Sequence, residues 1–151
     1  MAALIARLQA EGWPVVMTAA PDPAELALVN AIQAALLQQG AKPGHSLAGQ
    51  LSLKELAALT ARARLFVGVD SAPMHMAAAV GTPTVALFRP SGDRQWGPCG
   101  VPMRVVSSTH HPCRPCGIDG CGGGKVSDCL MSLSVEQVWQ AVTDLLAETP
   151  R

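Results

Sequence analysis

Reactive side chains in this chain gather in two short stretches. The first is Asp70-Ser71-Ala72-Pro73-Met74-His75, a carboxylate, a hydroxyl and an imidazole in close succession. It follows the apolar run Leu65-Phe66-Val67-Gly68-Val69 and leads into the small apolar residues from Met76 to Val80. If that run is a strand and a helix follows, Asp70 stands at the strand's C-terminal end. The helix then turns its unpaired first amides toward the same point, which suits a phosphate or pyrophosphate. Small side chains at Ser71 and Ala72 let a ligand approach the backbone, and His75, one turn into the helix, can reach back as a further donor. The plain alternatives are that Asp70 or Ser71 merely caps the helix and that His75 is a core histidine.

The second stretch holds Cys113, Cys116, Cys121 and Cys129, spaced C-x2-C-x4-C-x7-C amid Gly117, Gly120 and Gly122 to Gly124. Thiolates on a glycine-rich loop can meet tetrahedral zinc geometry, and four of them would leave no open position, so the ion would be structural. Its expected role is to order the loop ahead of the last helix, where only Ile118, Val126 and Leu130 offer apolar packing. The second half of the pattern is not a paired CxxC knuckle, so free or redox-active thiols and disulfides stay open as readings. His110 and His111 stand near enough in sequence to substitute as ligands, whereas Cys99 reads as an ordinary loop thiol. Arg114 and Lys125 could make the loop a contact for an anionic lipid or sugar acceptor.

These groups need elements to position them. Leu4, Ile5 and Leu8 recur at helical spacing up to Gly12, and Val15-Val16-Met17 reads as a short buried strand. Asp22-Pro23-Ala24-Glu25 combines a cap, a proline at the first helical position and a glutamate three residues on; it opens a helix with Leu26, Val29, Ile32 and Leu36 that stops at Gly40. Ser52-Leu53-Lys54-Glu55 opens another to about Ala63, followed by the strand Leu65 to Val69. A small-residue helix from Ser71 to Val80 ends at Gly81, and strands follow at Thr84 to Phe88 and Arg104 to Ser107. Ser134-Val135-Glu136-Gln137 opens a last helix carrying Val135, Val138, Trp139, Val142, Leu145 and Leu146. Alternating strands and helices predict an α/β fold, a doubly wound Rossmann-like parallel sheet with ligands outside the carboxyl ends of its strands. The pattern opens on a helix where a crossover helix should follow a strand, so helix one is an extension or the chain begins inside a domain.

At 151 residues the chain has room for a single domain, 1–151, with a real core. A hydrophobic fraction of 49% against 15% charged excludes disorder. Eleven Lys plus Arg balance eleven Asp plus Glu, so no net field favours nucleic acid. No apolar run approaches the ~20 residues that span a bilayer, and Arg7 and Glu11 interrupt any signal peptide, so a cytoplasmic protein is expected. With three Trp, two Phe and no Tyr, the core must be Ala, Leu and Val, as suits helices packed on a parallel sheet.

The stretch Leu51 to Leu59, the strand Leu65 to Val69, the motif Asp70 to Ala79, Gly81-Thr82-Pro83-Thr84-Val85-Ala86-Leu87-Phe88 and Gly97-Pro98 together resemble glycosyltransferase family 9, the heptosyltransferases of lipopolysaccharide assembly. Ala72 and Arg89 depart from the family, which has glycine at the first position and often at the second. The resemblance implies the C-terminal half of a GT-B fold, two Rossmann-like domains facing across a cleft. It implies a nucleotide-sugar donor such as ADP-heptose, a lipopolysaccharide core acceptor, inversion at the transferred sugar, and at most peripheral contact with the inner face of the inner membrane. Asp70, Ser71, Ala72 and His75 would line the diphosphate and sugar site. Glu25 falls near a family glutamate that holds the nucleotide ribose; its other reading is the cap partner of Asp22. Transfer in the family needs no metal, leaving a structural zinc as the only ion anticipated. The acceptor-binding N-terminal domain and the first strand of the C-terminal one do not fit this length, which suggests a truncated piece, a split gene or a remnant. Such a chain is expected to bind donor without turnover. The rival readings are a non-catalytic nucleotide or nucleotide-sugar binding module and a small zinc-binding interaction domain.

Overall fold

A computed structural model describes residues 1–118, 120–124 and 126–149. Packing divides the chain into two units, Met1–Leu56 and Ala57–Arg151. The first holds α1 (Ala2–Ala10), β1 (Val16–Met17), α2 (Pro23–Gln38) and β2 (His45–Ser46). β1 and β2 run parallel, with Val16 opposite His45 and Met17 opposite Ser46. Gly12 and Gly40, just past α1 and α2, adopt φ of 83° and 70°, a left-handed conformation that costs glycine little and ends each helix where the sequence indicated. Ile5, Met17, Val29 and Leu36 form the buried core of this unit.

β2 lies where the sequence offers no apolar run. Its entry is set by Gln33 on α2, whose amide nitrogen donates to the Gly44 carbonyl at 2.7 Å while its oxygen accepts from the Gly44 amide at 2.9 Å. One side chain thus pairs a backbone position as a neighbouring strand would. α3 (Leu53–Ala61) spans the boundary between the units.

The second unit contains β3 (Phe66–Val69), α4 (Ala72–Ala79), β4 (Thr84–Phe88), α5 (Asp93–Trp96), β5 (Met103–Ser107), a 3-10 turn (Cys121–Gly123), α6 (Asp128–Met131) and α7 (Val135–Glu148). Its sheet is parallel in the order β3-β4-β5. All of central β4 is buried, the continuous apolar run expected of a parallel strand covered on both faces. α4 packs on β3 and β4, and α7 on β4 and β5. Met74, Ala86 and Phe88 make the core, with Phe66 and Val105 against it. The buried threonines at the sheet's entry are satisfied: Thr84 donates to the Thr82 carbonyl at 2.9 Å and Thr82 to the Thr60 carbonyl at 2.8 Å.

α7 starts with the reciprocal Ser134–Gln137 box that its sequence signals, and buries Val138, Ala141, Val142 and Leu145. Val135, expected on the apolar face, is exposed because it precedes the stretch that meets the sheet. The helix's last carbonyls are met by Arg64, whose guanidinium donates to Leu146 O at 3.1 Å and also to the Thr149 carbonyl, a cation placed at the negative end of the helix. Among the described residues, no helix is long and apolar enough to cross a membrane.

Candidate functional site

β3 delivers Asp70. Its amide still donates to Leu87 O at 3.3 Å, so the backbone stays in the sheet one residue past the strand. Ser71 is extended and precedes α4, where Pro73 occupies the first turn. Met74 and Ala77 are fully buried and fix the helix's rotation, leaving His75 on the open side. The Ser71 hydroxyl makes no cap bond; it donates backward to Val69 O at 3.1 Å. Within the first turn Pro73 has no N–H and the Met74 amide donates to Ser71 O at 3.0 Å, so it is the Ala72 amide that is left without a side-chain cap, and the reading of Ser71 as a mere cap does not hold.

Asp70 has two distinct neighbours. Its Oδ2 accepts from Ser91 Oγ at 2.5 Å, and its Oδ1 lies 3.6 Å from His75 Nε2, within ion-pair range though longer than a hydrogen bond. The Asp70 side chain is 15% exposed and that of His75 is 46% exposed, so the carboxylate is sheltered while the imidazole meets solvent. The carboxylate stands between the hydroxyl and the imidazole. A nucleophilic relay needs the imidazole against the hydroxyl, so this arrangement does not activate Ser91. It instead fixes a carboxylate acceptor next to the Ala72 amide at the helix start and a reachable imidazole, a set of groups for holding a polar ligand. Ala72, the first residue of α4, is exposed beside them.

Ser91 was not among the residues read from the sequence. The signal was present: a hydroxyl just beyond the C-terminal end of β4, which the parallel pairing sets beside β3. Glu25 belongs to the first unit. Asp22 caps α2 through its Oδ1, accepting from the amides of Ala24 at 2.9 Å and Glu25 at 3.1 Å. The Glu25 carboxylate does not complete a box with Asp22; it accepts from the Ala20 amide at 2.8 Å.

The expected zinc cage is not assembled. Among the described residues no three His, Cys, Asp or Glu side chains gather as a metal site, and the cysteines are free thiols rather than disulfides. Cys129 is buried on α6, whereas Cys113, Cys116 and Cys121 are exposed. The loop is held by other bonds: Arg114 donates to two carbonyls, the Gly117 amide donates to Pro90 O at 3.1 Å, and the Cys121 amide to Val126 O at 2.8 Å. Cys121 Sγ accepts from the Asp128 amide at 3.5 Å. His111 is engaged by Ser108, Nδ1 to Oγ at 2.6 Å, instead of standing as a spare ligand. Arg114, read as a contact for an anionic acceptor, is half-buried and turned onto backbone carbonyls; Lys125 lies outside the described residues.

The profile of glycosyltransferase family 9 (heptosyltransferase) matches residues 1–126. Lipopolysaccharide heptosyltransferase 3 of Escherichia coli is 46% identical over 98 residues, 64% of this chain and 27% of that protein. The protein of the same name from strain K12 is 43% identical over 95 residues, 63% of this chain and 27% of that one. Among solved structures, E. coli ADP-heptose lps heptosyltransferase II superposes with a TM-score of 0.79 and 27% identity, over 97% of this chain and 40% of that one. The glycosyl transferase family 9 structure from Veillonella parvula DSM 2008 gives 0.77 and 26%, over 98% of this chain and 40% of that one. The chain therefore spans about a quarter of the curated relatives and under half of the solved ones. Parallel strands and a profile match over most of its length converge on one conclusion: the chain belongs to glycosyltransferase family 9, the heptosyltransferase family.

Proposed function

We propose that this chain grips the donor in a glycosyltransferase that moves a heptose from a nucleotide-diphosphate sugar, such as ADP-heptose, to a lipopolysaccharide core acceptor. The observation that carries the reading is the fixed Asp70 carboxylate beside the uncapped start of α4. Charge divides the labour. A carboxylate repels a diphosphate, so the phosphate oxygens go to the Ala72 amide and the positive end of the α4 dipole, with His75 near enough to add a donor. Asp70, with Oδ2 engaged by Ser91, offers Oδ1 to a sugar hydroxyl, a charge-assisted hydrogen bond. Ser71 and Ala72 keep the approach to the backbone open.

As the diphosphate leaves the sugar, negative charge grows on its oxygens. The Ala72 amide and the helix dipole, fixed in place beforehand, stabilise that charge without reorganising, which lowers the barrier to transfer. No metal is required for this role. The acceptor and the base that removes its proton are assigned to another part of the enzyme, consistent with relatives more than twice as long as this chain. Calorimetric titration of the chain with ADP-heptose and ADP, followed by amide resonances, tests the reading. Shifts centred on Asp70 to His75 are expected; a ligand that binds without moving any of them refutes the site.

A further inference from the structure

We infer that Arg114 is a positioning residue for the Asp70 site, acting through Ser91; the inference rests on the donor-site reading for its functional meaning. Ser91 lies in the connection between β4 and α5, outside the sheet's ladder, yet its hydroxyl holds Asp70 at 2.5 Å. Something must fix that connection. Arg114 Nε donates to the Arg89 carbonyl at 3.1 Å, and its Nη1 donates to the Ser108 carbonyl at 3.0 Å. These carbonyls are the first beyond the C-terminal ends of β4 and β5, so a single planar guanidinium bridges two neighbouring strand ends. The Gly117 amide donates to Pro90 O at 3.1 Å, and Pro115 Cβ lies 3.9 Å from where a Cβ on Gly92 would stand. Arg114, Pro115 and Gly117 thus meet Arg89, Pro90 and Gly92, on both sides of Ser91.

The cysteine-bearing loop is in this way the backing of the donor site. Without the fork, the Arg89 carbonyl turns to water and the connection loosens. Ser91 then leaves Oδ2, and Asp70 is free to rotate toward His75, changing which oxygen it presents to a sugar hydroxyl. A lysine cannot replace the fork, because one ammonium lacks the planar pair of donors that reaches both carbonyls.

The test uses the full 151-residue chain with Arg114→Ala, Ser91→Ala and the double variant. Without ligand, Arg114→Ala is expected to shift the Ser91 and Asp70 amide resonances and to speed exchange of the Gly117 amide. Unmoved Ser91 and Asp70 resonances overturn the inference. With ADP-heptose as the probe, each single variant is expected to bind about tenfold more weakly, and the double variant no more than about twofold more weakly than Ser91→Ala alone. Losses that multiply overturn it, since they show Arg114 acting independently of Ser91. If Arg114→Ala does not fold, Arg114→Lys carries the same resonance test. A wild-type chain that ignores ADP-heptose while the resonances still couple refutes the donor reading and leaves the brace standing.

Discussion

The Asp70 motif and the cysteine loop are equally dense in reactive groups, and the fold treats them differently. Asp70, His75 and Ser91 converge, whereas Cys113, Cys116 and Cys121 face solvent and Cys129 is buried on α6. The contrast follows from what fixes each backbone. Asp70 is placed by the β3–β4 ladder and by a helix whose rotation Met74 sets, so its direction follows from periodic structure. The cysteines sit on a loop whose fixed points are carbonyls and amides, through Arg114, Gly117 and Cys121, and those bonds do not require the thiols to meet. Spacing in sequence specifies a cluster only where a regular element converts it into a direction.

The largest effect expected from this difference is at the helix start. Ser71→Leu puts a branched side chain beside the Ala72 amide, where the proposed donor approaches, and donor affinity should fall on the order of a hundredfold, as measured by calorimetry. Cys113→Ser and Cys116→Ser, made as controls, should bind ADP-heptose within about twofold of the parent, since their thiols are exposed. Equal losses in the two sets would erase the distinction between the regions.

Next in size is the packing beneath the motif. A Cβ at Gly68 would lie 2.7 Å from Cε1 and Cζ of Phe66, a ring packed against the Met74, Ala86 and Phe88 core. Gly68→Ala should destabilise the chain by roughly 1–3 kcal/mol in denaturant unfolding. A neutral substitution would mean that the ring yields freely and that β3 holds Asp70 less rigidly than argued. Within the loop, Cys129→Ser puts a hydroxyl into a site that is 3% exposed and should cost about 1–3 kcal/mol, while Cys121→Ser stays within about 0.5 kcal/mol. If both cost alike, and elemental analysis after purification under reducing conditions finds one equivalent of zinc, the loop is a metal site after all.

The same distinction explains how much could be read in advance. Helix starts at Asp22, Ser52 and Ser134 were legible because a cap is a local event, and β3 and β4 because buried parallel strands are continuous apolar runs. β2 was not legible, since His45–Ser46 pairs with β1, is entered through a Gly44 backbone that Gln33 holds from another element, and carries no pattern of its own. α5 and α6 are single turns, too short for a period to show. Asp70, Ser71 and His75 stood out because a strand end announces them. Ser91 depended on which strand neighbours β3, and Arg114 on which carbonyls its loop would cover; both are tertiary facts.

The smallest effect is expected where local signals alone are at work, at the start of α3. Ser52 and Glu55 bond reciprocally: Glu55 Oε2 accepts from the Ser52 amide at 2.8 Å and hydroxyl at 2.7 Å, while the Glu55 amide donates to Ser52 Oγ at 3.4 Å. The hydroxyl bond first, and the amide bond second, hold the Glu55 carboxyl below the ordinary glutamate range. A carboxyl lowered by folding binds fewer protons folded than unfolded in the window between its two values, so stability rises with pH there. The contribution is complete above the ordinary glutamate range and is lost as pH falls through the lowered value. Because the group is fully exposed, water and salt screen it, and the change is a modest one. Comparing melting temperatures of the parent and Glu55→Gln across acid pH should show a small advantage for the parent at neutral pH that fades on acidification. The carboxyl resonance of Glu55 should titrate below that of an unstructured glutamate. If it titrates with the ordinary ones, the box does not hold its charge in solution, and α3 starts there for reasons of packing instead.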